Sequence, residues 1–244
     1  MKYMGSKSRI AKDITPVIQR KIDEHSIKTY IEPFVGGANV IDKINCETKI
    51  GTDRNKYLIA LLNKVAKGEP LIESVPRELY NTVRDNYKTG SYEDWYIGNV
   101  GFIASYNGRW FDGGYAPAGY EKTKSGERYR DYYQEAKRNI LLQSSKIKNV
   151  VFQVKDYKEH NPSNCLIYCD PPYQGTKQYD NAKKFNYDEF WETMRGWSRD
   201  NIVIISELNA PDDFICIWEK SVSRTMKSTD NTMRANEKMF MYNN

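Results

Sequence analysis

Apolar residues along this chain fall into short runs, most of strand length, separated by polar stretches in which one helical period stands out. Thr29 to Val35 is a β-rich run that breaks at Gly36-Gly37, with a helix expected to begin at about Ala38 to Val40. Thr48 to Asp53 is a second strand, ending in an acid. Leu58, Ile59, Leu61, Leu62 and Val65 then recur at helical spacing between Lys56 and Val65. Further on, Val150 to Val154 and Leu166 to Cys169 are strands, Asn186 to Arg199 is helical, and Asn201 to Ser206 reads as a buried strand. Asp213 to Trp218, Ser221 to Met226 and Lys238 to Tyr242 are further strand candidates. Strands that alternate with helices predict an α/β fold.

The texture changes between about Gly68 and Arg138. Apolar runs shorten, and Gly, Tyr and charged residues alternate around Tyr106-Asn107-Gly108-Arg109-Trp110-Phe111 and Asp112-Gly113-Gly114. We read residues 67–138 as a small, mainly helical insertion that carries a hairpin or loop of aromatic and basic residues. Residues 1–66 and 139–244 then form one discontinuous domain around it. A helix near Tyr129 to Ser145 returns the chain to that domain.

Composition narrows the partner. The chain has 244 residues, enough for a sizeable core, yet its mean hydropathy is -0.77 and only 39% of it is apolar. No run reaches bilayer-spanning length, so a soluble, cytoplasmic protein is expected; a monomer in solution is the separate expectation. The net charge of +5 falls just short of a typical nucleic-acid-binding balance, whereas 19 tyrosines beside Lys and Arg suit stackable polar ligands such as bases. Two histidines and four cysteines show no metal-site spacing, and no metal centre is expected. Cys165 and Cys169 share a strand face and read as core packing.

The candidate chemistry sits where strands end. Leu166 to Cys169 stops at Asp170-Pro171-Pro172-Tyr173. Two prolines cannot extend a central strand, so the carboxylate is held at the strand's carboxyl end, where open α/β sheets bind ligands. Prolines also lack N–H groups, which leaves a rigid, acceptor-rich turn beside an aromatic ring, a fit for a planar amine. An ordinary Asp-Pro turn after a strand is the plainer alternative. Upstream, Glu32-Pro33-Phe34-Val35-Gly36-Gly37 is a strand followed by a glycine turn, and Asp53 closes the next strand about 20 residues on, the spacing at which an acid meets ribose hydroxyls.

These pieces together resemble the Dam family of adenine-N6 DNA methyltransferases. The family's opening Lys-aromatic-x-Gly-x-Lys is matched by Lys2 to Lys7, its Glu-Pro-Phe-x-Gly-Gly turn by Glu32 to Gly37, and its strand-end acid by Asp53. A Tyr-Asn-Gly in the recognition segment is matched by Tyr106 to Gly108, and the catalytic D-P-P-Y by Asp170 to Tyr173. The motifs keep the family's order over nearly the whole chain. The resemblance implies a Rossmann-like fold with a seven-stranded mixed sheet, S-adenosylmethionine as cofactor and double-stranded DNA as partner. It implies a catalytic turn of Asp170, Pro171, Pro172 and Tyr173, and a cofactor pocket of Tyr3, Lys7, Phe34, Gly36, Asp53, Asp156, Tyr157 and Asp170. Tyr106, Asn107, Arg109, Lys122 and Lys124 are the expected DNA contacts.

Two departures stand out. Phe111 occupies the place of the arginine that reads guanine in GATC-methylating members, with Arg109 two residues earlier, so the resemblance carries over the reaction but not the GATC target. Ala38 replaces a third glycine found in some relatives. The same fold acting on RNA adenine or on cytosine N4, or a non-catalytic DNA-binding relative, are the alternatives. Asp before Pro-Pro-Tyr favours adenine, since cytosine-directed relatives tend to carry Ser there.

Overall fold

The computed structural model describes residues 1–123, 126–174, 185–224 and 233–243. In chain order its α-helices are α1 (Ala11–Glu24), α2 (Lys56–Ala66), α3 (Arg77–Asn86), α4 (Asp94–Gly98), α5 (Tyr132–Leu141), α6 (Ser144–Ile147) and α7 (Tyr187–Trp197). Its strands are β1 (Thr29–Glu32), β2 (Thr48–Asp53), β3 (Ala118–Thr123), β4 (Gly126–Asp131), β5 (Val150–Val154), β6 (Leu166–Cys169), β7 (Ile202–Glu207), β8 (Phe214–Arg224) and β9 (Met233–Tyr242). Seven of these strands form one sheet in the order β5-β2-β1-β6-β7-β9-β8. β1, β6 and β7 run parallel, while β9 pairs antiparallel with β7 and β8, so the sheet is mixed. The chain order reverses between β1 and β6, which makes their carboxyl ends the topological switch point.

The expected elements are found, with four differences. The glycine turn leads into a single 3₁₀ turn, Ile41–Lys43, rather than an α-helix. The two strand candidates near residues 213 and 221 are one long strand, β8, bent by an irregularity between Cys216 and Trp218. The helix expected near Tyr129 begins only at Tyr132, because Tyr129 to Asp131 belong to β4, and Asp131 caps the helix through the Gln134 N–H. The patterning also gave no warning of α1. Its Ile14, Ile18 and Ile22, four residues apart, are buried on one face, each contributing about 1.5–3 kcal/mol. That offsets the penalty of Pro16 inside the helix, about 3 kcal/mol.

The described residues form two compact units. The first comprises Met1–Ala11, Val35–Lys43 and Gly51–Lys155. Within it α2 buries Leu58, Ile59, Leu61, Leu62 and Val65, and Asn55 caps its start by accepting the N–H groups of Tyr57 and Leu58, each at 3.1 Å. The hairpin β3-β4 is anchored by charge. Glu135 of α5 accepts from the Arg130 guanidinium at 2.7 and 3.0 Å and from the Lys2 ammonium at 2.8 Å. Hydrogen bonds from Arg130 first, then Lys2, hold the Glu135 carboxyl down at about 2. Its folded value lies below the ordinary 4.5, so this stabilisation is complete above 4.5 and is lost as pH falls through about 2. The urea midpoints of the wild type and Glu135→Gln should therefore differ at pH 6 and converge as the pH is lowered toward 2.

The second unit comprises Lys12–Phe34, Ile44–Ile50 and Asp156–Asn244. Its core joins Ile31, Cys165, Ile167, Cys169, Val203 and Ile205 from the strands to Phe190, Trp191, Met194 and Trp197 of α7. Cys165 and Cys169 lie in this core as expected, whereas Cys216 is exposed and Cys46 half-buried.

Candidate active site

At the switch point, within the second unit, the ends of β1 and β6 present two motifs. Glu32 is buried and accepts from the Tyr30 hydroxyl at 2.6 Å. Phe34 follows, its ring 5.3 Å from Tyr157 and 6.0 Å from Phe190. Tyr157 is buried in this aromatic cluster, and Asp156 caps the short turn that carries it, its side chain accepting the Lys158 N–H at 3.1 Å.

Asp170 is half-buried beyond β6, followed by buried Pro171, exposed Pro172 and buried Tyr173. The turn is fastened from outside. The Tyr187 hydroxyl donates to the Pro172 carbonyl at 3.0 Å, and the Tyr173 hydroxyl donates to Glu237 at 2.8 Å. The Gln174 N–H donates to Glu207 at 2.7 Å. Burial, reinforced by Asp170 and Glu237, pushes the Tyr173 hydroxyl far above its ordinary range, so it stays a neutral donor. With Tyr187 on the Pro172 carbonyl, the Pro171 carbonyl has no hydrogen-bond donor among the described residues. The turn thus carries a carboxylate, a carbonyl and an aromatic ring on consecutive residues.

The first unit holds a separate constellation. Gly36 adopts φ +46, and a side chain there would meet the Tyr3 ring at 3.0 Å. At Gly37 a Cβ would come within 2.9 Å of the Tyr3 Cβ. The glycine turn therefore lies directly under Tyr3, a closeness no other residue permits. Ala38 has φ +56, so the position where some relatives carry glycine does ask for left-handed backbone. Asp53 accepts the Gly36 N–H at 3.3 Å on one oxygen and the Asn55 N–H at 2.9 Å on the other. Burial holds the Asp53 carboxyl above its ordinary range, against the pull of the Asn55, Gly36 and Arg54 N–H groups. Lys7 is 8% exposed, which sets it apart from a solvated surface lysine. Gln143, unnoticed in the sequence, reaches into the same turn. Its amide donates to Asp42 at 3.0 Å and to the Ala38 carbonyl at 3.2 Å. Nothing local marks it, because its partners lie about a hundred residues away.

The recognition candidates form a tight loop in the same unit. Ser105 and Tyr115 close it by a β-bridge, and Tyr106, Asn107 and Arg109 point to solvent. Phe111 turns inward, 5.5 Å from both Tyr80 and Tyr87 and 4.7 Å from Trp110. It packs the loop and offers no hydrogen bond where an arginine would read a base. On the hairpin, Tyr120 opposes Tyr129 with rings 5.3 Å apart, 76% and 57% exposed. Lys122 lies on their face, two residues along β3, and is exposed; Lys124 lies outside the described residues. The tyrosine pair does not stand out in the sequence because alternation alone does not say which face of a hairpin is covered. Here Arg130 and Glu121 commit the opposite face to Glu135 and Tyr132.

Comparison with known proteins shows the family. Residues 3–196 match the family described as D12 class N6 adenine-specific DNA methyltransferase. The type II methyltransferase M.MjaIII of Methanocaldococcus jannaschii is 25% identical over 221 residues, 78% of this chain and 74% of that protein. The type II methyltransferase M.FokI of Planomicrobium okeanokoites is 26% identical over 195 residues, 71% of this chain but only 28% of that protein.

Proposed function

Because the chain belongs to the D12 class of N6 adenine-specific DNA methyltransferases, we propose that Asp170, Pro171 and Tyr173 hold an adenine drawn out of duplex DNA for methylation. The reaction is transfer of a methyl group to the exocyclic N6 of adenine in DNA. That nitrogen is a poor nucleophile because its lone pair is delocalised into the ring. In this reading the Asp170 carboxylate accepts one of its hydrogens and the Pro171 carbonyl the other, which favours a pyramidal nitrogen with an available lone pair. Such fixed acceptors, oriented before the reaction begins, are commonly the largest catalytic contribution. Tyr173 stacks on the base at about 1–3 kcal/mol, offsetting part of the few kcal/mol that extrusion costs. The observation that carries the reading is the donor-poor Asp170-Pro171-Pro172-Tyr173 turn at the carboxyl end of β6.

The residues present fit S-adenosylmethionine. Asp53 is a carboxylate acceptor at the end of β2, suited to a ribose hydroxyl, and the glycine turn under Tyr3 admits close backbone approach. Tyr3, Lys7, Phe34 and Gly36 complete the assignment, with Asp156 and Tyr157 flanking the cofactor's adenine. When bound, the cofactor supplies an electrophilic methyl group on a sulfonium.

Residues 67–138 serve as the recognition segment. Tyr106, Asn107, Arg109 and Lys122 contact DNA, and the exposed Tyr120 and Tyr129 join them, since aromatic faces beside cations suit stacking and phosphate contact together. Replacing both tyrosines by alanine should weaken binding to a double-stranded DNA fragment about tenfold or more. Calorimetric affinity for S-adenosylmethionine should stay unchanged.

The activity is tested by modified-base sequencing of DNA from cells that express the chain. N6-methyladenine at a defined sequence, absent when Asp170 is replaced by alanine, is the expected result. Unmodified DNA from cells holding soluble wild-type protein would refute the reading.

A further inference from the structure

Pro171 and Pro172 supply no N–H, so the turn after Asp170 cannot fasten itself to neighbouring strands with backbone donors at those positions. Side chains from three other elements hold it instead. Two of them, Tyr187 of α7 and Glu237 of β9, each make one bond to the turn. The third, Glu207, makes two bonds to backbone. It is the last residue of β7 and is 2% exposed. One carboxylate oxygen accepts the Gln174 N–H at 2.7 Å and the other accepts the Leu208 N–H at 2.5 Å.

We propose that Glu207 is the positioning residue of the methyl transfer: it touches neither base nor donor, and it sets where the Asp170 carboxylate and the Pro171 carbonyl stand. The proposal rests on the assignment of those two groups as the acceptors of the base amine. β6 and β7 run in parallel register, Cys169 opposite Ile205, so Pro171 and Glu207 each lie two residues beyond a matched pair. The carboxylate links what leaves β6 to what leaves β7. It must be a carboxylate because two backbone donors converge on it. A glutamine offers one oxygen, and its amide would point a hydrogen at the remaining N–H. A buried carboxyl group needs its oxygens satisfied, and the two short backbone hydrogen bonds serve both of them. Slackening this link lets the turn drift, and misplacement of a reacting group by about 1 Å costs roughly 100-fold in rate.

The test uses the full chain, unmodified double-stranded plasmid DNA as acceptor and S-adenosylmethionine with a labelled methyl group. Rates are expressed per cofactor-binding site titrated by calorimetry, so that unfolded protein does not count. Glu207→Gln should lower kcat about 30- to 100-fold while KM for plasmid DNA and Kd for S-adenosylmethionine stay within about twofold of wild type. Gln174→Pro removes the same N–H while leaving the carboxylate intact, and it should give the same kcat loss; it decides the matter if Glu207→Gln binds no cofactor. A kcat within threefold of wild type in the deciding variant, or a loss seen in KM alone, overturns the proposal. Asp170→Ala separates the two readings. If it remains active, the assignment of the acceptors has failed; if it is inactive while Glu207→Gln is fully active, only the positioning role has failed.

Discussion

Asp170→Ala should lower methyl transfer to DNA by at least 100- to 1,000-fold, the usual loss when one preorganised group at the reacting atom is removed. Binding of S-adenosylmethionine should remain measurable by calorimetry, because Asp53, Gly36 and Tyr3 are untouched. Asp170→Asn should lose nearly as much. Its amide can accept with one oxygen, but its NH₂ would face the hydrogens of the base amine. The fold should survive both changes, since Asp170 is only half-buried and the turn keeps its links to Glu207, Glu237 and Tyr187. Full activity in the alanine variant would leave the turn without its assigned chemistry. The pair also separates charge from shape: Asn keeps the shape and one oxygen, so equal loss in both means that the carboxylate charge matters, and a much more active Asn variant means that one oxygen suffices.

The second large effect is expected at Gly108. Its φ is +66, and a Cβ there would lie 2.3 Å from the Lys2 carbonyl oxygen and 2.6 Å from its carbon. Both are backbone atoms, so no rotamer can relieve the clash. Gly108→Ala therefore combines a left-handed penalty of about 1–2 kcal/mol with overpacking of typically 1–3 kcal/mol. It should lower the urea midpoint accordingly. Because the contact joins the Tyr106-Asn107 loop to the segment bearing Tyr3, both DNA binding and cofactor binding should weaken. A variant with wild-type stability and both affinities intact would contradict the packing. The control is Gly114→Ala, where φ is +68 but no atom lies within 4 Å of the added Cβ. With ψ at 171 it lies in a backbone region nearly restricted to glycine, so it should show a conformational penalty of its own with no clash.

Gly108 also illustrates what could be read ahead of the structure. The Tyr-Asn-Gly and Lys-aromatic-x-Gly-x-Lys motifs are visible as separate strings, and nothing local says that they touch. Asp170, Asp53 and the glycine turn were legible because a strand, its end and the next acid are close in sequence. The partners that fasten them were not. Glu207, Glu237 and Gln143 act through bonds spanning 33, 64 and about a hundred residues, and as isolated acids and an amide they look like any solvated side chain. α1 was hidden for a different reason. Pro16 argues against a helix locally, and only the tertiary burial of Ile14, Ile18 and Ile22 overrides it. The glycine turn misled in the opposite sense, since strand-turn-helix is the usual sequel and here the chain makes only one 3₁₀ turn.

The thiols of the second unit make it self-reporting. The Cys169 sulfur lies 3.5 Å from that of Met194 in a fully enclosed position, and burial drives its ionisation well above the ordinary thiol range. The Cys165 thiol, equally enclosed, is pushed up to about 12. Neither can present a reactive thiolate until β6 opens, whereas Cys216 on the surface reacts at once. An alkylating reagent thus acts as a clock: Cys216 is its fast hand, half-buried Cys46 an intermediate one, and the two slow hands time the local opening of the strand that ends at Cys169.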